Sequence, residues 1–181
     1  MPDPSPFPAR TYDIIYADPP WHFRGHVLKD GDASLHYPTV PTKVLKTWPV
    51  QTLAASACLL FLWTTSHHLA EAISLGQAWG FQYSTVAFVW DKQMTLVGLY
   101  TLPQTELCLV FKRGKIPTPR GARNVRQLVS IRRGRHSEKP DEVRQRITRM
   151  FPSQRKIELF ARIPAAGWDS WGNEVSQTEA A

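Results

Sequence analysis

The sequence predicts a single α/β domain whose central sheet is mostly parallel and is covered by helices on both faces. Apolar runs of strand length alternate with segments of helical periodicity, which is the pattern of a parallel sheet with crossover helices. The run 57–63 is continuously apolar, as expected for a strand buried on both faces. A length of 181 residues with 43% hydrophobic content suffices for one domain with its own core.

The predicted elements follow from these runs and from local start and stop signals. Strands are predicted at residues 11–17, 57–63, 82–90, 105–112, 127–131 and 156–160. Helices are predicted at about 41–48, from Ser66 as N-cap to Trp79 with Gly80 as its stop, and from Pro140 in a first turn. Residues 1–10 form a Pro-rich start, 22–38 and 91–103 are predicted active-site loops, 113–135 is a basic loop, and 176–181 is a loose tail.

The positive charge is concentrated in one window. The formal net charge is +7, yet no Asp or Glu lies between Leu107 and Ser137. The cations of this window are Lys112, Arg113, Lys115, Arg120, Arg123, Arg126, Arg132, Arg133 and Arg135. A basic, acid-free loop is typical of a surface that grips a phosphate backbone. The alternative is a solvated loop whose charges serve solubility.

Three other compositional features exclude classes of function. Cys58 and Cys108 stand alone inside apolar runs, so we expect buried, reduced thiols. The six His residues have no metal-ligand spacing, so no metal site is expected. No run is long enough to span a membrane, and the N-terminus lacks the order of a signal peptide, so we expect a cytoplasmic protein with no membrane partner.

The first strand ends in Asp18-Pro19-Pro20-Trp21. Two prolines cannot continue a sheet ladder, so Asp18 is held on a stiff turn at the carboxyl end of a strand, where α/β sheets bind ligands. Asp18 and a carbonyl of Pro19 or Pro20 can accept hydrogen bonds from the two N–H groups of an amino group on a planar base. Trp21 can stack on the face of that base. The alternative is a tight turn with the indole packed on the core.

Further blocks extend this signature along the chain. They are Tyr16-Ala17-Asp18-Pro19-Pro20-Trp21, Leu60-Phe61-Leu62-Trp63, Val89-Trp90 with Lys92, His136-Ser137-Glu138-Lys139-Pro140-Asp141-Glu142, Lys156-Ile157-Glu158-Leu159-Phe160-Ala161-Arg162 and Trp168-Asp169-Ser170-Trp171-Gly172-Asn173-Glu174. In these blocks the chain resembles the MT-A70 family of adenine-N6 methyltransferases over residues 12–175. The resemblance implies a Rossmann-like fold, S-adenosyl-L-methionine as cofactor, and methyl transfer to the exocyclic amine of adenine in nucleic acid.

The resemblance also implies roles for individual residues. The expected catalytic residues are Asp18, Pro19, Pro20 and Trp21, and the expected cofactor-binding residues are Asp18, Lys139, Glu158, Arg162, Asn173 and Glu174. The residues expected to contact nucleic acid are Trp21, Tyr37, Trp63, Lys92, Arg120, Arg123, Arg132, Arg133 and Arg135. From the residues alone, a surface charge is the favoured interpretation of Lys139, because single lysines are mostly solvated. Glu158 and Arg162, four apart on a predicted strand, are also consistent with an ordinary ion pair.

Some features depart from the family pattern and some alternatives stay open. The chain has no Gly-x-Gly loop, only about ten residues before its first strand, and Glu174 where some relatives have an amide. DNA is favoured over RNA as substrate, by analogy with compact prokaryotic and phage members. The alternatives are an RNA adenosine methyltransferase, a cytosine amino-methyltransferase and a catalytically silent partner subunit. A homodimer, or a heterodimer with a related subunit, is also left open.

Overall fold

The computed structural model describes residues 6–22, 39–98, 100–134 and 138–172, which form a layered α/β fold. The strands are β1 (Tyr12–Ala17), β2 (Ala54–Thr64), β3 (Gln82–Asp91), β4 (Thr105–Arg113), β5 (Leu128–Ser130), β6 (Lys156–Leu159) and β7 (Asp169–Trp171). The α-helices are α1 (Thr42–Leu45), α2 (Leu69–Ala78) and α3 (Asp141–Met150), with 3-10 turns at Val50–Leu53 and Ser66–His68. The first six strands and the three helices match the predicted ones to within a few residues, whereas β7 and the 3-10 turns were not predicted.

The strands make one seven-stranded sheet in the order β5-β3-β4-β2-β1-β6-β7. All neighbouring strands are parallel except at β4, which runs antiparallel to both β2 and β3. The predicted mostly parallel α/β sheet is therefore confirmed. We call the edge at which the parallel strands end the carboxyl edge, and the opposite one the amino edge. Because β4 is reversed, its first residues lie at the carboxyl edge.

A hydrophobic core lies on each face of the sheet. On one face α2 packs through Ala72 and Leu75. A Cβ at Gly76 would collide with the ring of Phe111 on β4, so glycine lets α2 lie close to the sheet. On the other face α3 packs through Val143 and Ile147. Cys58 and Cys108 are both buried in these cores, as predicted.

Two predicted helix starts are wrong in detail. Ser66 does not cap α2, because residues 66–68 form a 3-10 turn and α2 begins at Leu69 with no side-chain cap. Pro140 is the N-cap of α3 and lies before its first turn, in extended conformation. The predicted stop at Gly80 is confirmed, since this residue has φ +83° and the Phe81 N–H donates to the Gly76 carbonyl at 3.1 Å.

Two absences hold for the described part of the chain. None of its helices is long and apolar enough to cross a membrane. Nor do its His, Cys, Asp and Glu side chains form a group of three or more that could hold a metal ion.

Candidate active site

The turn after β1 is fixed by hydrogen bonds as well as by its two prolines. The Trp21 N–H donates to the Pro19 carbonyl at 2.8 Å, and the Val40 N–H donates to the Pro20 carbonyl at 2.9 Å. A carbonyl oxygen has two lone pairs, so each proline carbonyl retains one for a further donor. Asp18 follows β1 directly and is 24% exposed through its side chain, so it lies at the carboxyl edge within reach of a ligand.

Four alternating charges meet at this edge, and we call them the charge chain. Lys139 Nζ lies 2.8 Å from Asp18 Oδ2 and 3.3 Å from Glu106 Oε2, and Lys92 Nζ lies 3.4 Å from Glu106 Oε1. The residues come from four places in the sequence: the end of β1, the segment before α3, the start of β4 and the residue after β3. The Lys139 side chain is only 12% exposed, so the interpretation of this residue as a surface charge is wrong.

Burial and pairing set the protonation of this chain. Burial raises the pKa of Asp18 above its ordinary value, and the neighbouring Lys139 only partly offsets that effect. Burial opposes the charge on Lys139, but Asp18 and Glu106 outweigh it and raise the pKa of the ammonium. Burial also opposes ionisation of Glu106, but Lys139 and Lys92 lower the pKa of that carboxyl. Lys139 and Glu106 are thus held in their charged forms, whereas Asp18 is the group closest to changing its protonation.

Aromatic side chains pack against the charge chain and the Asp18 turn. Trp63 is fully buried, its ring lies 5.7 Å from Lys139 Nζ, and its Nε1 donates to the Tyr16 hydroxyl at 2.6 Å. Its carbonyl accepts a hydrogen bond from Trp21 Nε1 at 3.1 Å. Contact of Trp63 with nucleic acid stays a prediction, and it requires that the residues covering this side chain move. Trp63 positions the lysine and the indole that flank Asp18.

Trp21 lies beside Asp18 with one face already covered. Its ring stacks on His68 at a centroid distance of 5.5 Å and an angle of 18°, and the residue is 7% exposed. His68, which the sequence did not single out, is itself fixed by Thr65 Oγ1 at 3.2 Å. Stacking of Trp21 on a target base stays a prediction, and it requires the face opposite His68.

Lys92 has a role that the sequence did not predict. Its side chain is 6% exposed and paired with Glu106, so the structure uses its charge inside the site, and contact of Lys92 with nucleic acid stays a prediction. Its backbone carbonyl accepts from the Arg133 N–H at 3.0 Å, which places the 131–134 segment at the carboxyl edge next to the charge chain.

Glu158 lies on β6 beside Tyr16 of β1 and accepts a hydrogen bond from Arg144 Nη1 at 2.6 Å. Burial raises the pKa of Glu158, and Arg144 partly opposes this. The predicted common strand for Glu158 and Arg162 is wrong, because β6 ends at Leu159 and Phe160 has φ +63°. The positive charge of Arg162 still acts on Asp18, where it opposes part of the rise in pKa that burial causes. Contact of Glu158 and Arg162 with a cofactor stays a prediction, and Asn173 and Glu174 lie outside the described residues.

The predicted basic loop does not form one clamp. β4 carries the chain from the carboxyl edge to the amino edge, where the Gly121 N–H donates to the Met150 carbonyl at the end of α3 at 2.9 Å. Arg120 lies there over the ring of Phe151 at 5.4 Å, and Arg123 follows it. β5 then returns to the carboxyl edge with Arg132 and Arg133. The structure therefore separates Arg120 and Arg123 from Arg132 and Arg133, while Tyr37 and Arg135 lie outside the described residues.

Glu106 is the main site residue that the sequence analysis missed. It precedes the apolar run 107–111 within the strand Thr105–Arg113, and a lone acid just before such a run is a usable signal. The signal is informative only if β4 is known to begin at the carboxyl edge, and the sequence does not show that direction. Arg144, the partner of Glu158, was missed because its neighbours on α3 include an ordinary i, i+3 partner, Asp141.

A fixed carboxylate and two proline carbonyls, at the carboxyl edge of an α/β sheet, form the arrangement that the sequence resemblance implies for a methyltransferase acting on amino groups. The comparisons with known proteins place the chain within that class. The MT-A70 family model matches residues 12–174. The chain therefore belongs to the MT-A70 family and is an adenine-N6 methyltransferase, as the sequence blocks predict.

Relatives of different size share this domain. The chain is 51% identical to the type II methyltransferase M.MunI from a Mycoplasma, over 93% of this chain and 79% of that protein. It is 30% identical to the mouse N(6)-adenine-specific methyltransferase METTL4, over 92% of this chain and 38% of that protein. It is also 30% identical to an Arabidopsis thaliana N(6)-adenosine-methyltransferase MT-A70-like protein, over 92% of this chain and 24% of that protein. The chain thus spans less than two fifths of these two eukaryotic relatives.

Proposed function

We propose that this chain transfers a methyl group from S-adenosyl-L-methionine to the exocyclic amine of adenine in DNA. The observation that carries the proposal is the position of Asp18 at the carboxyl edge, on a turn fixed by two prolines and paired with Lys139 at 2.8 Å. Adenine's amino nitrogen is a poor nucleophile because its lone pair is delocalised into the ring. The site must therefore make that lone pair available.

Asp18 and one proline carbonyl supply the two acceptors that this chemistry needs. By accepting hydrogen bonds from both N–H groups of the amine, they favour a tetrahedral nitrogen whose lone pair is free. They also stabilise the positive charge that develops on that nitrogen. Asp18 acts in its ionised form, because its negative charge provides this stabilisation. Trp21 holds the plane of the base, and the rigid turn keeps both acceptors in place so that orientation contributes to the rate.

The residues at the edge fit the cofactor's methionine end. An ammonium has three N–H donors, and Asp18 and Glu106 engage two of those on Lys139. The remaining donor suits the cofactor carboxylate, and the free N–H groups of the first turn of α3 begin two residues later. When bound, the cofactor supplies an electrophilic methyl group on a sulfonium leaving group. We assign Lys139 to its carboxylate, and Glu158 and Arg162 to the ribose and adenine side.

DNA is the proposed polymer for two reasons. The relative with 51% identity is a type II methyltransferase, and this chain covers 79% of it, whereas the eukaryotic relatives share far less of their length. Arg132 and Arg133 lie at the carboxyl edge beside the charge chain and suit a phosphate backbone.

The test is methyl transfer by the purified chain with labelled cofactor. Matched DNA and RNA, each single- and double-stranded, are supplied, and the product nucleoside is identified by mass spectrometry. We expect N6-methyldeoxyadenosine. Modification of RNA alone would move the proposal to an RNA methyltransferase, methylcytosine would overturn the base assignment, and no transfer to any polymer would favour a silent partner subunit.

A further inference from the structure

The segment between β3 and β4 projects from the carboxyl edge as a hairpin, which we call the 93–104 hairpin. Its base is closed by the Lys92 N–H, which donates to the Gln104 carbonyl at 2.9 Å. A second rung follows, in which the Leu96 N–H donates to the Pro103 carbonyl at 3.0 Å. Beyond that rung lies the tip, of which residues 97, 98 and 100–102 are described.

The tip of this hairpin is apolar and fully presented to solvent. Residues 93–104 contain no charged side chain, although 20% of the whole chain is charged. Val97 and Tyr100 are each 96% exposed and Leu102 is 62% exposed. Large exposed apolar side chains that are close together in the chain are typical of an interaction surface.

The hairpin is anchored directly in the active site. Lys92 at its base pairs with Glu106, which pairs with Lys139, which pairs with Asp18. Arg133 joins the same base through its N–H to the Lys92 carbonyl, and Arg132 beside it is exposed. A hairpin with an apolar tip therefore has cations at its base and is joined there to the charge chain that contains Asp18.

We propose that the 93–104 hairpin inserts its tip into the DNA base stack and fills the gap left by the extruded adenine. The inference rests on the proposed function, because only a base in a duplex has to leave the stack. Apolar side chains are the usual wedges between base steps, and an aromatic ring such as that of Tyr100 replaces part of the stacking that the flipped base loses. Arg132 and Arg133 then lie where the phosphates that flank the step pass.

A second copy of this chain is the competing occupant, and the surrounding charge argues against it. A stable pair of chains needs about 800 Å² from each partner, so it would bury the rest of the carboxyl edge as well as the tip. That burial would bring the exposed cations of two chains with a net charge of +7 toward one another. The same cations favour a polyanion.

The test compares wild type with Val97→Ala/Tyr100→Ala on duplexes that carry a sequence methylated by the wild type. In one duplex the target adenine is paired with thymine. In the other it faces an abasic site and is already unpaired. Ile116→Ala is the matched control, because Ile116 is an exposed apolar residue near the end of β4 at the amino edge. Extrusion is followed separately by the fluorescence of 2-aminopurine at the target position, and mass in solution is measured by sedimentation.

We expect the double variant to lose about 10- to 100-fold in single-turnover rate on the paired duplex and to recover on the abasic one. The change in 2-aminopurine fluorescence that reports extrusion should be smaller for the double variant than for wild type. The control should behave as wild type in both assays. Equal losses on both duplexes with a lower mass would overturn the wedge and assign the hairpin to contact between copies. An unchanged rate on the paired duplex would also overturn it. A wild type that methylates no DNA would instead refute the proposed function, and the wedge with it.

Discussion

Replacement of Lys139 by Met tests whether the charge chain holds the site together. The substitution removes the ammonium that lies 2.8 Å from Asp18 and 3.3 Å from Glu106, and it leaves two carboxylates close together. Removing one partner of a buried pair typically costs about 3–5 kcal/mol of unfolding free energy. Glu106 keeps Lys92 at 3.4 Å and Asp18 is partly exposed, so we expect the low end, about 3 kcal/mol at neutral pH.

The cost of this substitution should depend on pH. The pKa of Glu106 is lowered in the fold, so its stabilising contribution is complete above the unfolded value near 4.5 and is lost as the pH falls through the lower folded value. The raised pKa of Asp18 means that its ionisation weakens the fold as the pH rises, and loss of Lys139 makes this worse. Without the ammonium of Lys139, burial and mutual repulsion raise the pKa of both carboxyls in the variant, so they take up protons there before they do in the wild type. The deficit is therefore largest near neutral pH and smaller in acid.

Urea unfolding at pH 7.5 and pH 4.5 measures this deficit. Lys112→Met is the matched control, because Lys112 is an exposed lysine near the other end of β4 and should change stability by less than about 0.5 kcal/mol. A deficit for Lys139→Met below about 1 kcal/mol, or one that is equal at the two pH values, would refute the proposed charge chain.

Three further predictions concern binding, pH and packing. Alanine at both Arg132 and Arg133 should weaken DNA binding and reduce the slope of log affinity against log salt by about 1.8, and an unchanged slope would place these arginines off the DNA path. Because burial raises the pKa of Asp18, kcat/KM should fall with one proton as the pH drops through a value above 3.8, and a rate that is flat down to that pH would contradict the role of its carboxylate. Gly76→Ala should lower the unfolding free energy by about 1–3 kcal/mol although alanine favours helices, because its Cβ would collide with a core aromatic ring. Gly134→Ala, which meets nothing closer than 3.8 Å, is its control, and equal stability of the two variants would show that the ring yields.

The parts of the site that are local in sequence were predictable. The turn at Asp18 follows from two prolines after an apolar run, since prolines end a ladder whatever the fold around them. The position of Lys139 before α3 follows from Pro140 and the acids after it, which mark a helix start. The order of strands and helices was predictable for the same reason, because each depends on its own periodicity.

The parts that depend on strand direction were not predictable. The reversal of β4 brings Glu106 to Asp18 and carries Arg120 to the amino edge, and an apolar run reads the same in either direction. Burial of Trp63 was missed for a related reason. Its place at the end of β2 suggests a ligand contact, but Lys139 and Trp21 cover it.

The central claim is that the carboxylate of Asp18 receives the adenine amine, and Asp18→Asn tests it most directly. The amide retains the shape of the side chain but presents an N–H where an acceptor is needed. Single-turnover methyl transfer to a methylatable duplex is measured beside cofactor affinity and thermal stability. We expect transfer to fall by at least about 100-fold while the fold is retained. A well-folded Asp18→Asn protein that transfers methyl groups at the wild-type rate would contradict the account.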